Sequence, residues 1–237
     1  MITPIVHRFE FVGSTNDVAL EMAKSGAPEG TVVIANTQTK GRGRRGRQWF
    51  DTPGQGIILS AILRPGIPLD RYSGLAFVGA VALAECIEAE CSLQPQLKWP
   101  NDVLVRDKKL AGILIESANG AAIVGIGVNA RQTDFPPEIA ATATSIALEG
   151  GTCLDVDTLT NALISRLFSI CSLGFEEIAT RWRKYMWGVG RMVEVVSENA
   201  VISGVIAGLD SDGALLIDSN GELRRIISAD AINVIRK

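Results

Sequence analysis

The sequence predicts a mixed α/β body followed by a small β-barrel. Three observations predict this. Over the first 188 residues, segments with apolar residues three and four apart alternate with short β-branched runs. After Gly188-Val189-Gly190 the texture changes to short strands parted by Asn, Gly and Asp turns. The chain of 237 residues is 47% apolar and 21% charged, a globular composition long enough for a larger and a smaller unit. The units are set at residues 1–188 and 189–237.

The elements follow in order. Ser14, Thr15 and Asn16 are a run of helix-capping residues. Val18 and Met22, with Ala19 and Ala23, continue at helical spacing, and Gly26 and Pro28 stop the helix. "TVVIANTQ" is a β-branched strand, and "QGIILSAIL" is a buried strand closed by "RPGIP". From Asp70 to Cys91, Leu75, Val78, Ala82 and Cys86 mark a long amphipathic or buried helix. "PQLKWP" and "DVLVRDKKLAGILIESA" give short strands around a turn at Arg106–Lys108, and "AAIVGIGVN" is another strand. Residues 130–152 have no period, and loops of that length are functional or disordered, so a lid is expected there. "DVDTLTNALISRLFSICSLG" and "FEEIATRWRKYMW" are helices. "RMVEVVSE", "AVISGVIAGLD", "GALLID", "LRRIIS" and "AINVI" are the strands of the small unit.

Composition narrows the function classes. The net charge is −3 and the pI about 5.3, unlike a general polyanion binder. The first residues lack the apolar run and cleavage site of a secretory leader, and no stretch reaches the roughly 20 apolar residues of a membrane helix. A cytoplasmic protein without membrane contact is expected. Cys86, Cys91, Cys153 and Cys171 form no C-x-x-C pair, and with the lone His7 they offer no zinc spacing. Buried, reduced thiols are expected.

Against this background "KGRGRRGRQW", residues 40–49, concentrates four arginines and three glycines. Glycines let backbone N–H groups converge on an anion, and guanidinium forks match carboxylate and phosphate oxygens in pairs. The spacing is neither that of a P-loop nor that of a dinucleotide fingerprint. A ligand loop, a nucleic-acid contact and a solvated charge run all remain open on this segment alone. "KWPNDVLV" puts Lys98, Asn101 and Asp102 near one strand end, where an Asp beside a Lys can hold a metal–phosphate unit or accept a proton. An ordinary turn made by Pro100, Asn101 and Asp102 fits equally. In "KLAGILIES", Lys109 enters a strand whose small Ala111 and Gly112 admit a close ligand. In "GSTND", the helix caps have hydroxyls to spare for a neutral polar ligand head.

Together and in order, "GSTN", "QTKGRGRRGRQW", "KWPNDVLV", "KLAGILIE" and "GIGVN", with the C-terminal β-unit, resemble the biotin protein ligases over nearly the whole chain. The resemblance implies an α+β fold: a mixed sheet flanked by helices, like that of class II aminoacyl-tRNA synthetases, then an SH3-like barrel. It implies that ATP and biotin, with Mg²⁺, form biotinyl-5′-AMP and pyrophosphate. The biotinyl group then passes to a lysine of a biotin carboxyl carrier protein, that of acetyl-CoA carboxylase or a related enzyme. Ser14, Thr15, Asn16 and Gln38 would meet the ureido ring. Arg42 and Arg44 would contact carboxylate and phosphate, with Gly41 and Gly43 allowing backbone approach. Arg45, Arg47 and Trp49 would face the nucleotide. Lys109 would bridge the reacting carboxylate and α-phosphate. Asn101 and Asp102 would sit by nucleotide and metal, Asp102 also orienting or deprotonating the incoming lysine. Gly112, Gly125 and Gly127 would form the floor, and Asn129 would lie on the nucleotide side. Some family members carry an N-terminal winged helix that binds an operator. This chain starts at the catalytic unit, so no DNA binding is expected. Sheet-to-sheet homodimers occur in the family, and the sequence leaves the oligomeric state open. Lipoate–protein ligases use the same logic, but the Gly/Arg loop and the C-terminal unit favour biotin. A nucleic-acid module is disfavoured by the acidic pI.

Overall fold

The computed structural model describes residues 2–68, 72, 74–152, 155–197 and 200–235. Asp70, the expected helix start, and Cys153 lie outside the described residues. The chain opens with β1 (Ile5–Val12), which pairs in parallel with β2 (Thr31–Gln38). β1 was not expected from the sequence. An edge strand with most side chains exposed needs no buried face, so it lacks the alternation that would announce it. Helix α1 (Thr15–Lys24) connects the two. Then come β3 (Gly56–Leu63), α2 (Leu75–Cys91), β4 (Gln96–Lys98), β5 (Asp102–Val105), β6 (Lys108–Ala118) and β7 (Ala121–Asn129). The seven strands lie in the order β1-β2-β3-β7-β6-β5-β4, and every pairing except β1–β2 is antiparallel. The sheet is mixed, as expected.

The period of two along each strand separates its faces. On one face Val32, Ile34, Leu59, Ala61, Val124 and Ile126 join the large core under α2, α4 (Val156–Cys171) and α5 (Phe175–Lys184). Helix α2 is buried nearly all round, so of the two expected forms the buried one is found. On the other face Val33, Ile62, Ala121 and Ile123 pack under Ala19 and Ala23 of α1. The helix is short and covers only part of that face. Beyond it the strands carry Gly125 and Gly127, and there the cavity opens.

Residues 130–152 are not an unstructured stretch. They include α3 (Pro137–Ala140) and run back beside β6: Lys109 N donates to Thr142 O at 2.7 Å and Thr144 N to Lys109 O at 2.9 Å. Thr144, Ser145 and Ile146 are buried. Their order comes from β6, which no local period reveals.

The C-terminal unit contains β8 (Met192–Ser197), β9 (Ala200–Leu209), β10 (Leu215–Ser219), β11 (Glu222–Ile226) and β12 (Ala231–Val234). The strands are those expected, in the order β11-β10-β9-β8-β12, but the barrel is not closed. Its end strands do not pair with each other, and Ala231, Ile232 and Asn233 of β12 line the cavity of the body instead. A continuous hydrophobic cluster runs from the body into this sheet through Leu97, Trp187, Val193, Leu215 and Ile232. Cys86 and Cys91 are buried and Cys171 partly so. Burial pushes the Cys86 thiol up to about 11 and the Cys171 thiol up to about 12.

Candidate active site

A cavity of about 460 Å³ lies over the glycine-bearing part of the sheet. Gly112 of β6 stands opposite Gly127 of β7, and Leu114 opposite Gly125. A Cβ on Gly127 would come 2.6 Å from Trp49 Cε2, and one on Gly125 would lie 3.0 Å from Asn16 Cγ. Both contacts are far inside van der Waals distance, so glycine gives the floor its depth.

One end of the cavity is polar and largely neutral. Ser14, Thr15 and Asn16 are buried there at the start of α1. Ser14 occupies the N-cap position without a side-chain capping bond and lines the cavity with Thr15 and Asn16. Thr15 N and Oγ1 both donate to Gln38 Oε1, at 2.8 and 3.1 Å. That leaves the Gln38 Nε2 donor on the Gly41 side. Ser60 Oγ lies 2.8 Å from Thr15 Oγ1 and 2.6 Å from Asn16 Oδ1. Asn16 Nδ2 donates to Glu116 Oε2 at 2.6 Å. Sequence reasoning missed Ser60 and Glu116. The signal for Ser60 was available: a lone hydroxyl in a strand buried at every position.

The Arg/Gly segment is a small hairpin. Trp49 N donates to Gly41 O at 3.0 Å, Arg42 bridges Gln48, and Gly43 N donates to Arg47 O at 2.7 Å. The turn needs the left-handed backbone of Arg45 (φ 56°) and Gly46 (φ 72°). Its four arginines diverge. Arg42 points back to Asp17 at 2.7 Å and Glu116 at 2.8 Å, and hydrogen bonding to Asp17 and then Glu116 raises its pKa. Its charge is met here by two carboxylates, where the resemblance implies contact with carboxylate and phosphate. Arg44 turns into the cavity and donates to Asn101 Oδ1 at 3.3 Å. Burial, then repulsion from Arg45, lowers its pKa, with Asp102 opposing. Its guanidinium stays charged. Arg45 forms an ion pair with Asp230, and Arg47 donates to Asp230 O at 3.0 Å. The C-terminal unit thus holds the hairpin tip.

The other end of the cavity is cationic. Lys109 Nζ lies 2.8 Å from Asp102 Oδ1 and 6.0 Å from the centre of the Trp49 ring. The turn that presents Asp102 is pinned by reciprocal bonds between Asn101 and Ile113, each 2.9 Å. Trp99 Nε1 anchors the same turn to Gly213 O at 3.0 Å. Lys98 Nζ stacks 4.9 Å from the centre of the Trp187 ring. Burial lowers its pKa, Asp102 opposes, and Lys109 lowers it further. Asn129 Nδ2 donates to Thr144 O at 2.9 Å, on the wall formed by Ile139, Thr142 and Ala143. Trp187 and Asp230 were missed, because the fold brings them to the site from far along the chain. The lining carboxylates here are already engaged: Asp102 with Lys109, Asp107 with Arg191 and Asp230 with Arg45. Arg44 and Lys98 are cations partly stripped of water by burial, so an anionic ligand would supply the partner that solvent no longer does.

Among the described residues no group of three or more His, Cys, Asp or Glu could hold a metal unaided. Mg²⁺ carried on nucleotide phosphates requires only one or two carboxylates, and Asp102 fits that part. No described helix is long and apolar enough to cross a membrane.

Residues 8–132 match the Biotin/lipoate A/B protein ligase family, and residues 188–232 match the Biotin protein ligase C terminal domain. The Bifunctional ligase/repressor BirA of Bacillus spizizenii is 37% identical over 93% of this chain and 71% of its own. The Biotin–[acetyl-CoA-carboxylase] ligase of Mycobacterium tuberculosis is 32% identical over 94% of this chain and 86% of its own. The Aquifex aeolicus biotin protein ligase in complex with biotin and ATP superposes with a TM-score of 0.86 at 29% identity, covering 98% of this chain and 99% of that one. With both family regions in sequence order on one fold, the chain belongs to the biotin protein ligases of the Biotin/lipoate A/B protein ligase family.

Proposed function

We propose that this chain is an ATP-dependent ligase that forms biotinyl-5′-AMP and passes the biotinyl group to a lysine of a biotin carboxyl carrier protein, that of acetyl-CoA carboxylase or a related enzyme. The observation that carries this function is the two-ended cavity. A polar end lined by Thr15, Asn16 and Gln38 and backed by the buried Ser60 suits an uncharged ureido head. An end built from Arg44, Lys98 and Lys109 suits a carboxylate beside a triphosphate.

In the first step a biotin carboxylate oxygen attacks the α-phosphorus of ATP, and the bond to the β-phosphate oxygen breaks to release pyrophosphate. The two anions repel each other. Lys109, between Asp102 and the Trp49 face, meets both and stabilises the charge that grows between them. Arg44 adds a second fixed cation, already desolvated. Trp49 and Asn129 bound the nucleotide side. Bound Mg²⁺ would neutralise phosphate oxygens, with Asp102 as its protein carboxylate. In the second step the carrier lysine, deprotonated with help from Asp102, attacks the acyl carbon and AMP leaves with the pair of electrons from the broken anhydride bond. The hairpin of residues 41–49 covers the anhydride and keeps water from it. Residues 1–188 carry these groups, and residues 189–237 steady the hairpin through Asp230.

The test is pyrophosphate release from ATP and Mg²⁺ without carrier, with biotin and then with lipoate. Biotin-dependent release limited to about one turnover per site is expected for a retained acyl-adenylate. Release with lipoate alone would overturn the substrate, and release with neither would overturn the reaction.

A further inference from the structure

Glu116 takes no part in the chemistry above, yet it joins two walls of the cavity. It follows Gly112 and Leu114 at a spacing of two along β6, so it shares their cavity face. Its Oε2 accepts from Asn16 Nδ2 at 2.6 Å. Both its oxygens accept from Arg42, from Nη2 at 2.8 and 3.0 Å, and one also from Nε at 3.3 Å. The same guanidinium reaches Asp17 at 2.7 Å.

A carboxylate only accepts hydrogen bonds, so it fixes which way the Asn16 amide points. With Nδ2 held by Glu116, Oδ1 is turned to Ser60 and to the surface above Gly125. Two carboxylates around one guanidinium leave Arg42 with no unmatched positive charge to offer at this end of the cavity. A substrate carboxylate gains nothing from Arg42 here and is driven towards Arg44 and Lys109.

We propose that Glu116 is a positioning residue that sets the direction of the acid substrate: it orients Asn16 for the neutral head and ties up Arg42 as an anchor of the hairpin, not as a ligand of the anion. The inference rests on the proposed function only in naming that acid as biotin.

The test compares E116Q, R42Q and the double variant with wild type in pyrophosphate release, using biotin or lipoate, whichever the wild type activates. That wild-type control alone tests the proposed function. The expected result is a rise of about tenfold in half-saturating acid for E116Q, the scale of losing a charge-assisted contact, with that for ATP within twofold. R42Q should behave alike, the double variant no worse than either, and E116D should recover part of the loss. If Glu116 merely held back a ligand arginine, E116Q would leave acid binding unchanged or tighter, and this would overturn the proposal. Equal losses for acid and ATP, the mark of general damage, would overturn it too. Thermal melting supplies a readout free of substrate. Melting shifts of E116Q and R42Q that simply add in the double variant would refute the anchor. Where E116Q fails to fold, E116D and R42Q carry the same comparison.

Discussion

Alanine at Gly125 and at Gly127, two residues apart on β7, should damage opposite substrates. At Gly127 the added methyl would lie 2.6 Å from Trp49 Cε2, 2.7 Å from Cζ2 and 3.0 Å from Nε1. Carbon atoms rest at about 3.5–4.0 Å, so the indole must retreat by about 1 Å. Overpacking of this kind costs about 1–3 kcal/mol. At 1.4 kcal/mol per tenfold, the loss borne by ligand affinity is roughly 5- to 150-fold. The ring retreats from the nucleotide side, so Gly127→Ala should raise half-saturating ATP and spare biotin. At Gly125 the methyl would lie 3.0 Å from Asn16 Cγ and 3.1 Å from Nδ2. Asn16 cannot yield without giving up Ser60 or Glu116. Gly125→Ala should therefore raise half-saturating biotin by a similar factor and spare ATP. Single-turnover pyrophosphate release, with each substrate varied at saturating levels of the other, reads both. The reasoning is refuted if the two variants show the same pattern, or if Gly127→Ala leaves ATP within twofold of wild type.

Lys109→Ala should slow pyrophosphate release by roughly 10²–10³-fold, the scale of losing one preorganised charge contact; near-normal release would remove Lys109 from the first step. Arg44→Ala should slow release less and raise carrier-free hydrolysis, seen as multiple turnovers per site. Asp230→Ala should loosen the hairpin tip by removing the Arg45 ion pair while keeping the backbone oxygen that accepts from Arg47, raising half-saturating ATP by roughly fivefold; an equal effect on biotin would count against a local clasp. Trp99→Phe strands the buried acceptor Gly213 O, at about 1–3 kcal/mol, and an unchanged melting temperature would show that the bond contributes nothing. The raised thiols of Cys86 and Cys171 should resist alkylation at pH 8 in the native protein, as mapped by mass spectrometry. The sign for stability follows: the unfolded chain sheds these protons near 9.0, the folded chain near 11 and 12, so stability should fall as pH rises above 9.

The elements legible in the sequence are those whose burial is set locally. β3 is buried at every position and, Ser60 apart, carries no polar side chain because both faces are covered, and α4 announces itself by Asp155, which accepts from Thr158 N at 3.0 Å. β1 lies at an exposed edge, so no burial shapes its pattern. The order of residues 142–144 is supplied by the backbone of Lys109, more than thirty positions earlier. Barrel closure depends on which end strands meet, and strand alternation is the same whether they do or not.

The site divides along the same line. Residue type fixed what the cavity could hold: glycines for its floor, hydroxyls and amides for a neutral head, cations for an anion. Partner choice was not legible, since four arginines within six positions look alike in sequence while their partners lie elsewhere in the fold. Arg42 meets Glu116 at a separation of 74 residues, and Arg47 meets Asp230 at 183. The difference matters for charge. Counting every arginine as a ligand would make the whole hairpin an anion trap, and a substrate carboxylate could then lodge at either end. With Arg42 spent on Asp17 and Glu116, and Arg45 on Asp230, the hairpin's remaining charge is that of Arg44 and Arg47, beside Lys98 and the Asp102-paired Lys109. The cavity thereby gains a direction, and a ligand with a neutral head and a charged tail has one way to enter that satisfies both ends.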